Sequence, residues 1–324
     1  MINIAILAID NCMESSVMGP KDIFTIASME WGKTISMREE TLFRSIVVSL
    51  DGKPVTSFTG TAISPSNRLD TCGPLDLIFI PVIYGNLDSL LAQKELVEWL
   101  YAMSQSGVII CAVCAGTFLA AQTGLLDGRT ATTHWGLADQ FQKCFPRVVL
   151  NKEKMIVDEG EFITAGGVTA YLDLSLYITG RFGSAELVSM LSKLLLIDPA
   201  RRLQTPYKTF DYHTGHDDAA VLRAQQWLLN HSEQSTSLAR LADIAGLEPR
   251  TLNRRFKKAT GNTPLEYLQN LRLGKARTML ETTSNSFESI TLHVGYEDVS
   301  SFRRLFTRST GLSPSAYRKR FSIK

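Results

Sequence analysis

RTLNRRFKKATGNTP at residues 250–264 is answered by SSFRRLFTRSTGLSP at residues 300–314. The offset is 50 throughout. Arg254/Arg304, Phe256/Phe306, Thr260/Thr310, Gly261/Gly311 and Pro264/Pro314 are identical, and Tyr267/Tyr317 follows in register. Two units are too few for a solenoid, so they read as one supersecondary motif used twice. Each opens with a short apolar helix, through Leu238, Leu241 and Ala242 or through Ile290, Leu292 and His293. After a turn at 245–246 or 295–296, a second helix begins at Pro249 or Asp298, residues suited to a first turn and an N-cap. In it Leu252 and Phe256, or Phe302 and Phe306, stand four apart and share a buried face. The opposite side carries Arg250, Arg254 and Lys257, flanked by Thr251, Asn253 and Lys258. The second copy presents Ser300, Arg304 and Thr307, flanked by Ser301, Arg303 and Arg308. Helix, tight turn and a second helix with a basic outer face is the helix-turn-helix arrangement. Two amphipathic helix pairs with solvated basic faces would share the periodicity.

The charge distribution agrees with the helix-turn-helix reading. Residues 218–324 hold 17 Lys and Arg against 9 Asp and Glu, a net of +8, within a chain whose overall net charge is only +2. A cationic third behind an anionic body suits a polyanion-binding module joined to something else. Between the copies, Thr263-Pro264-Leu265-Glu266 is a capping box with proline at the first helical position. The helix it starts, over 264–280, would be a rod of about 25 Å. Such a rod could set two recognition helices about one DNA turn apart, in successive major grooves.

The chain has 324 residues, of which 44% are hydrophobic and 20% charged. That length favours two domains, and no apolar run reaches the length of a membrane span. The first residues, MINIAILAID, lack a basic leader and read as a buried strand. Five scattered cysteines argue against a disulfide framework and for the reducing cytosol. Strands are expected at 2–9, 43–50, 75–80, 108–113 and 162–164, several of them continuous apolar runs, as in a sheet buried on both faces. Helices are expected at 20–29, 88–104, 115–123, 135–145, 169–181 and 184–196. The alternation predicts a mostly parallel α/β sheet. Neither a G-x-G-x-x-G after the first strand nor a Walker-type loop is present, so a dinucleotide or nucleotide fold is unsupported.

Cys114 ends the strand GVIICAV and is followed by Ala115-Gly116-Thr117 and a helix. A strand-to-helix turn through a nucleophile is an elbow, and a helix N-terminus lowers a thiol pKa. A small buried residue at a tight turn is the competing reading. His134, twenty residues on, could approach it or serve structurally. Cys111-x-x-Cys114 has redox spacing, but alternation buries Cys111 away from the helix start. Residues 198–217 are polar, hold two prolines and lack periodicity, so they read as a linker between a domain at 1–197 and one at 218–324. His213 and His216 there lack the further ligands of a metal site. No metal or cofactor is expected.

LADIAGLEPRTLNRRFKKATGNTPLEYLQNLRLGKARTML, followed by VGYEDVSSFRRLFTRSTGLSPSAYRKRF, resembles the AraC-type DNA-binding domain over about 235–321. VCAGTFLAAQTGLLDGRTATTHW at 113–135, MGPKDIF at 18–24 and AGGVTAYLDLSLYI at 165–178 resemble the ThiJ/PfpI family. That family has a class I glutamine-amidotransferase-like, flavodoxin-like sheet. The two in this order resemble the GlxA family of transcription regulators. The resemblance implies a bacterial regulator that binds double-stranded DNA and acts as a homodimer. It further implies a first domain that takes a small effector or mediates dimerisation, and contact with RNA polymerase if the regulator is an activator.

The enzymes of the ThiJ/PfpI family carry an acid four residues before the proline of the G-P pair. Here that position is Ser16, with the nearest carboxylate at Glu14. A Ser hydroxyl does no acid–base work near neutral pH. The glycine pair usual after the third strand's proline is also absent, Pro81 being followed by Val82-Ile83-Tyr84-Gly85. Both departures favour binding over turnover. The alternative is a Cys-nucleophile hydrolase or hydratase fused to a DNA-binding domain. Cys114, Ala115, His134, Ser16 and Glu14 are the expected effector-pocket residues. Arg250, Asn253, Arg254, Arg303 and Arg304 are expected to read bases, because Arg suits guanine and Asn suits adenine. Lys257, Lys258 and Arg308 are expected to touch phosphates.

Overall fold

The computed structural model describes residues 1–34, 41–210, 212 and 215–323. The chain divides into two compact units, Met1–Gln204 and Thr205–Lys324. The strands are β1 (Ile2–Leu7), β2 (Phe43–Ser49), β3 (Val55–Thr56), β4 (Ala62–Ile63), β5 (Asn67–Arg68), β6 (Leu77–Ile80), β7 (Ile109–Val113), β8 (Thr130–Ala131), β9 (Val149–Leu150), β10 (Ile156–Asp158) and β11 (Phe162–Ala165). The helices of the first unit are α1 (Glu14–Thr34), α2 (Leu87–Leu91), α3 (Lys94–Gln105), α4 (Gly116–Gln122), α5 (Ala138–Cys144), α6 (Ala170–Phe182) and α7 (Ala185–Leu194). Its main sheet runs β10-β11-β7-β6-β1-β2-β5, all parallel except β10 against β11. This is the flavodoxin-like parallel architecture.

Alternation along the central strands sorts the core into two layers. Ala5, Leu7, Ile78, Ile80, Ile110 and Ala112 share one cluster with Leu90, Leu96, Leu100 and Phe118 of α2, α3 and α4. The intervening Ile4, Ile6 and Phe79 are equally buried and face the other layer, where Phe24 of α1 meets Phe79 edge-on at 6.4 Å. The expected strands all form. Strand β10 was missed, because it is a three-residue edge turned back on itself through Gly160.

Three helix expectations need correction. The first helix starts at Glu14, not at Pro20, which lies inside it. The single helix expected over 88–104 is two, broken at Ala92–Gln93 so that both pieces pack on α4. The helix expected at 135–145 opens as a 3-10 turn, Trp135–Leu137. The linker expected over 198–217 is also divided. Gln204 is buried in the first unit, its amide donating to Thr132 Oγ1, Thr133 O and Lys154 O at 2.9–3.1 Å.

The second unit holds α8 (Ala219–Asn230), α9 (Leu238–Ala245), α10 (Pro249–Thr260), α11 (Pro264–Thr282), α12 (Phe287–His293), α13 (Val299–Thr310) and α14 (Pro314–Phe321). Its apolar residues form two cores. One joins α8, α9 and α10 to Tyr267, Leu268 and Leu271 of α11. The other joins α12, α13 and Tyr317 to Leu273, Ala276 and Leu280 of the same helix. The capping box of α11 is present, with Thr263 and Glu266 satisfying each other's backbone. In α12 the buried stripe is Phe287, Ile290 and Thr291. Leu292 and His293, expected inside, are exposed, because the 3.6-residue period carries the stripe past them to Val294.

Candidate functional site

The repeat sorts itself once folded. Phe256 meets Tyr267 edge-on at 5.3 Å, and Phe306 meets Tyr317 at 5.3 Å. Thr260 and Thr310 each donate to the carbonyl four residues back, at 2.8 Å. Gly261 and Gly311 close the helices with φ of 76° and 71°. Pro264 and Pro314 each stand in the first turn of the next helix. Every identical pair therefore builds the motif except Arg254 and Arg304, which are exposed.

The burial pattern of 251–259 repeats at 301–309, residue for residue. On α10, Arg250, Thr251, Asn253, Arg254, Lys257 and Lys258 line one shallow depression. Among the described residues none of its four cations lies in an ion pair. Arg255 points elsewhere, held by Asp218 through Nε at 2.8 Å and Nη2 at 2.6 Å. On α13, Asp298 caps the helix by accepting from the Ser300 and Ser301 amides. Arg303 donates to Glu288 at 2.8 Å and lies over the Phe287 ring. That engagement competes with the base reading expected of it. Arg304 and Arg308 stand without a carboxylate partner among the described residues.

In the first unit, Cys114 adopts φ 57° between β7 and α4, the left-handed conformation a side chain reaches only when its surroundings impose it. Its amide donates to Ala165 O at 2.8 Å, and its carbonyl accepts from Thr133 Oγ1 at 2.7 Å. Two residues on, a Cβ at Gly116 would stand 2.6 Å from the Pro81 carbonyl, so only glycine fits. This is the sharp strand-to-helix turn expected at Cys114, a geometry common to both readings of that residue.

Cys114 is only 5% exposed. Burial pushes the thiol up to about 11, against a smaller downward pull from the Ala115 amide. Desolvation therefore outweighs the helix N-terminus. Cys111 is fully buried in β7, its thiol pushed up by burial, and both cysteines are free thiols.

The expected companions are each engaged otherwise. His134 Nδ1 accepts the Gly136 amide at 3.0 Å, which leaves the ring's proton on Nε2 and no nitrogen free to act as base. Burial lowers its pKa further. Ser16 is fully buried, donating to Met13 O at 2.7 Å and accepting from the Val82 amide at 3.0 Å. It pins α1 to the end of β6, so it does not line an open cleft as expected. Glu14 is held to about 2 by the hydroxyls of Ser57, Thr59 and Thr61; Ser57 donates to its Oε1 at 2.6 Å, and Thr59 donates to the same atom. It is an ionised anchor with no hydrogen bond to Cys114.

Tyr84, whose pKa is raised by burial and to a smaller extent by Cys114, stands on the Cys114 side of the same unit. Tyr84 stacks on Phe58 at 4.5 Å, and both residues are exposed, at 41% and 45%. Phe58 sits in the chain between Ser57 and Thr59, two of the three hydroxyl residues that hold Glu14. This aromatic pair was missed. Its one signal was the departure after Pro81, where Tyr84 stands near the place of the expected glycine pair.

The DJ-1/PfpI family model matches residues 3–180, more than half of the chain. The chain belongs to the DJ-1/PfpI family. In this member a second model, described as a helix-turn-helix domain, matches residues 241–320. The HTH-type transcriptional regulator CdhR of Pseudomonas aeruginosa is 29% identical over 285 residues, 87% of this chain and 84% of its own. The HTH-type transcriptional regulator ArgR of the same organism is 30% identical over 77% of this chain and 74% of its own. A likeness of 27% to an isonitrile hydratase of Pseudomonas putida is confined to 45% of this chain and 63% of that protein. A putative transcriptional regulator protein from Vibrio parahaemolyticus superposes with a TM-score of 0.52 at 20% identity, over 60% of this chain and 98% of its own. This family member is thus a DNA-binding transcription regulator of the helix-turn-helix type. No helix among the described residues is long and apolar enough to cross a membrane. Among them, too, no three metal-binding side chains cluster; His213 lies outside the described residues. His216 caps the approach to α8, bonded to Gln225 at 2.8 Å and to the Asp218 amide.

Proposed function

We propose that α10 is the main base-reading helix and that α13 docks beside it with fewer direct contacts. The observation that carries this is the unpaired row Arg250, Arg254, Lys257 and Lys258 on the face of α10. Arg254 with Asn253 and Arg250 reads base edges, while Lys257 and Lys258 hold phosphates. Arg304 and Arg308 do the corresponding work on α13, with Ser300, Ser301 and Thr251 at the helix starts near the backbone. Titration against operator and scrambled DNA tests the division. Arg254→Ala should lose specificity, whereas Lys257→Ala should weaken both DNAs alike.

We infer that the first unit binds a small effector without turning it over, and that the regulator works as a homodimer. Supporting the first point, Cys114 has neither a free base nor a hydrogen-bonded acid beside it, and its thiol stays protonated near neutral pH. A thiol with a pKa near 11 is about one part in a thousand thiolate at pH 8. Alkylation of Cys114 should therefore be slow at pH 7–8 and rise with pH toward about 11. An ionised Glu14 held by Ser57 and Thr59, with Phe58 of the exposed Phe58–Tyr84 stack on the same loop, suits a small organic cation. Calorimetry with ammonium-bearing and carboxylate-bearing ligands checks this: Tyr84→Ala should weaken the former selectively. The enzyme reading keeps one observation in its favour, the φ of 57° at Cys114. Turnover of an amide, aldehyde or isonitrile that is lost in Cys114→Ser would establish it.

A further inference from the structure

We propose that the outer face of α7 is the two-fold contact of the dimer, with a second copy of this chain packed antiparallel on it. The proposal rests on the homodimer reading above and names its surface. Leu187 and Leu191 bury the inner side of α7. The outer side presents Ala185, Glu186, Ser189, Met190, Lys193 and Leu194 as one open surface. Leu194 is 56% exposed, and Leu196 just beyond, held at φ 53°, is 92% exposed. Leu194 and Leu196 together leave an exposed apolar edge at the end of this surface.

The order of these six residues says what covers them. A two-fold axis passing between Ser189 and Met190 sets Ala185 opposite Leu194, Glu186 opposite Lys193, and Ser189 opposite Met190 of the second copy. In each pair a small side chain meets a large one, or an acid meets a base, and each pair occurs twice. A C2 interface requires this self-complementarity. A parallel arrangement would instead set like charge on like. Glu186 is ionised, its pKa lowered by the helix amide and the Ser184 hydroxyl rather than by a cation. Among the described residues neither Glu186 nor Lys193 is in an ion pair. Antiparallel packing also opposes the helix dipoles. Leu196 then falls toward the N-terminal end of the facing helix, where Gly183 offers no side chain. A ten-residue helix spans only about 15 Å, so the dimer is weak and concentration-dependent, and repeated DNA sites would reinforce it.

Sedimentation of the full chain tests this with three variants, all at exposed positions. Wild type should dimerise at micromolar concentration. Glu186→Lys alone and Lys193→Glu alone each set like charges together, and each should dissociate at least tenfold more readily. An equimolar mixture of the two should dimerise again, because every opposed pair is then acid with base. The double variant E186K/K193E should also dimerise, for the same reason. Dimers that persist in both single variants, with no change on mixing, would overturn this face while leaving the homodimer standing. A wild-type chain that stays monomeric throughout would overturn both.

Discussion

The two helix-turn-helix copies share a skeleton and differ on the surface. Phe256 and Phe306, Tyr267 and Tyr317, and Gly261 and Gly311 occupy equivalent places with equivalent geometry. Outside, α10 carries four cations, none of them in an ion pair among the described residues. The face of α13 has Ser300 in place of Arg250 and Thr307 in place of Lys257, and its Arg303 is engaged by Glu288. Packing tolerates little change, so the interior repeats. A solvated face has no such constraint, so the two helices are free to read DNA differently. The difference teaches that a duplicated fold does not oblige its two faces to be alike.

The largest expected effect bears on the skeleton. Phe256→Ala and Phe306→Ala should each cost about 3–5 kcal/mol. Because the two cores are separate clusters that share α11, each loss should appear first as hydrogen exchange in its own half. Simultaneous exchange of both halves in either variant would break the comparison, making the domain one cooperative unit.

Next comes readout. Arg254→Ala should lose roughly 1–3 kcal/mol on operator and relax one base position, with a smaller loss for Arg304→Ala. Binding-site selection with each variant checks this, and equal losses would erase the asymmetry. Smaller again, Lys257→Ala should lower the slope of log affinity against log salt by about 1. Thr307→Lys, its counterpart on α13, should raise that slope if this helix also follows the backbone closely. The smallest effect is at Glu288. Glu288→Gln releases Arg303 and should tighten DNA binding slightly, in a way that salt abolishes. No change at low salt would mean that Arg303 already leaves Glu288 when DNA is bound.

The legible part of this molecule is the part written in periodicity. The 50-residue offset, the capping box at Thr263 and the apolar runs of β1, β6 and β7 each specify local structure, and all of them formed. The elbow at Cys114 was legible too, because Gly116 and the strand before it leave the backbone few choices. What was not legible is how polar groups far apart in sequence spend their hydrogen bonds. Ser16 stands where an acid was wanted, but only the fold shows its hydroxyl consumed by Met13 and Val82. Glu14 could be named as the nearest carboxylate, yet its partners at Ser57 and Thr59 lie more than forty residues away. Phe58 carries no pattern and Tyr84 only the departure after Pro81; two loops bring them together.

The sequence by itself determined the two architectures, their order and the basic outer faces, since burial periodicity and capping are local and repeat with each turn or strand. Only the tertiary structure decided which charges are free. An ion pair such as Arg255–Asp218, a thiol pKa near 11 and the balance between a helix N-terminus and desolvation all depend on distance and dielectric, which packing sets and composition does not.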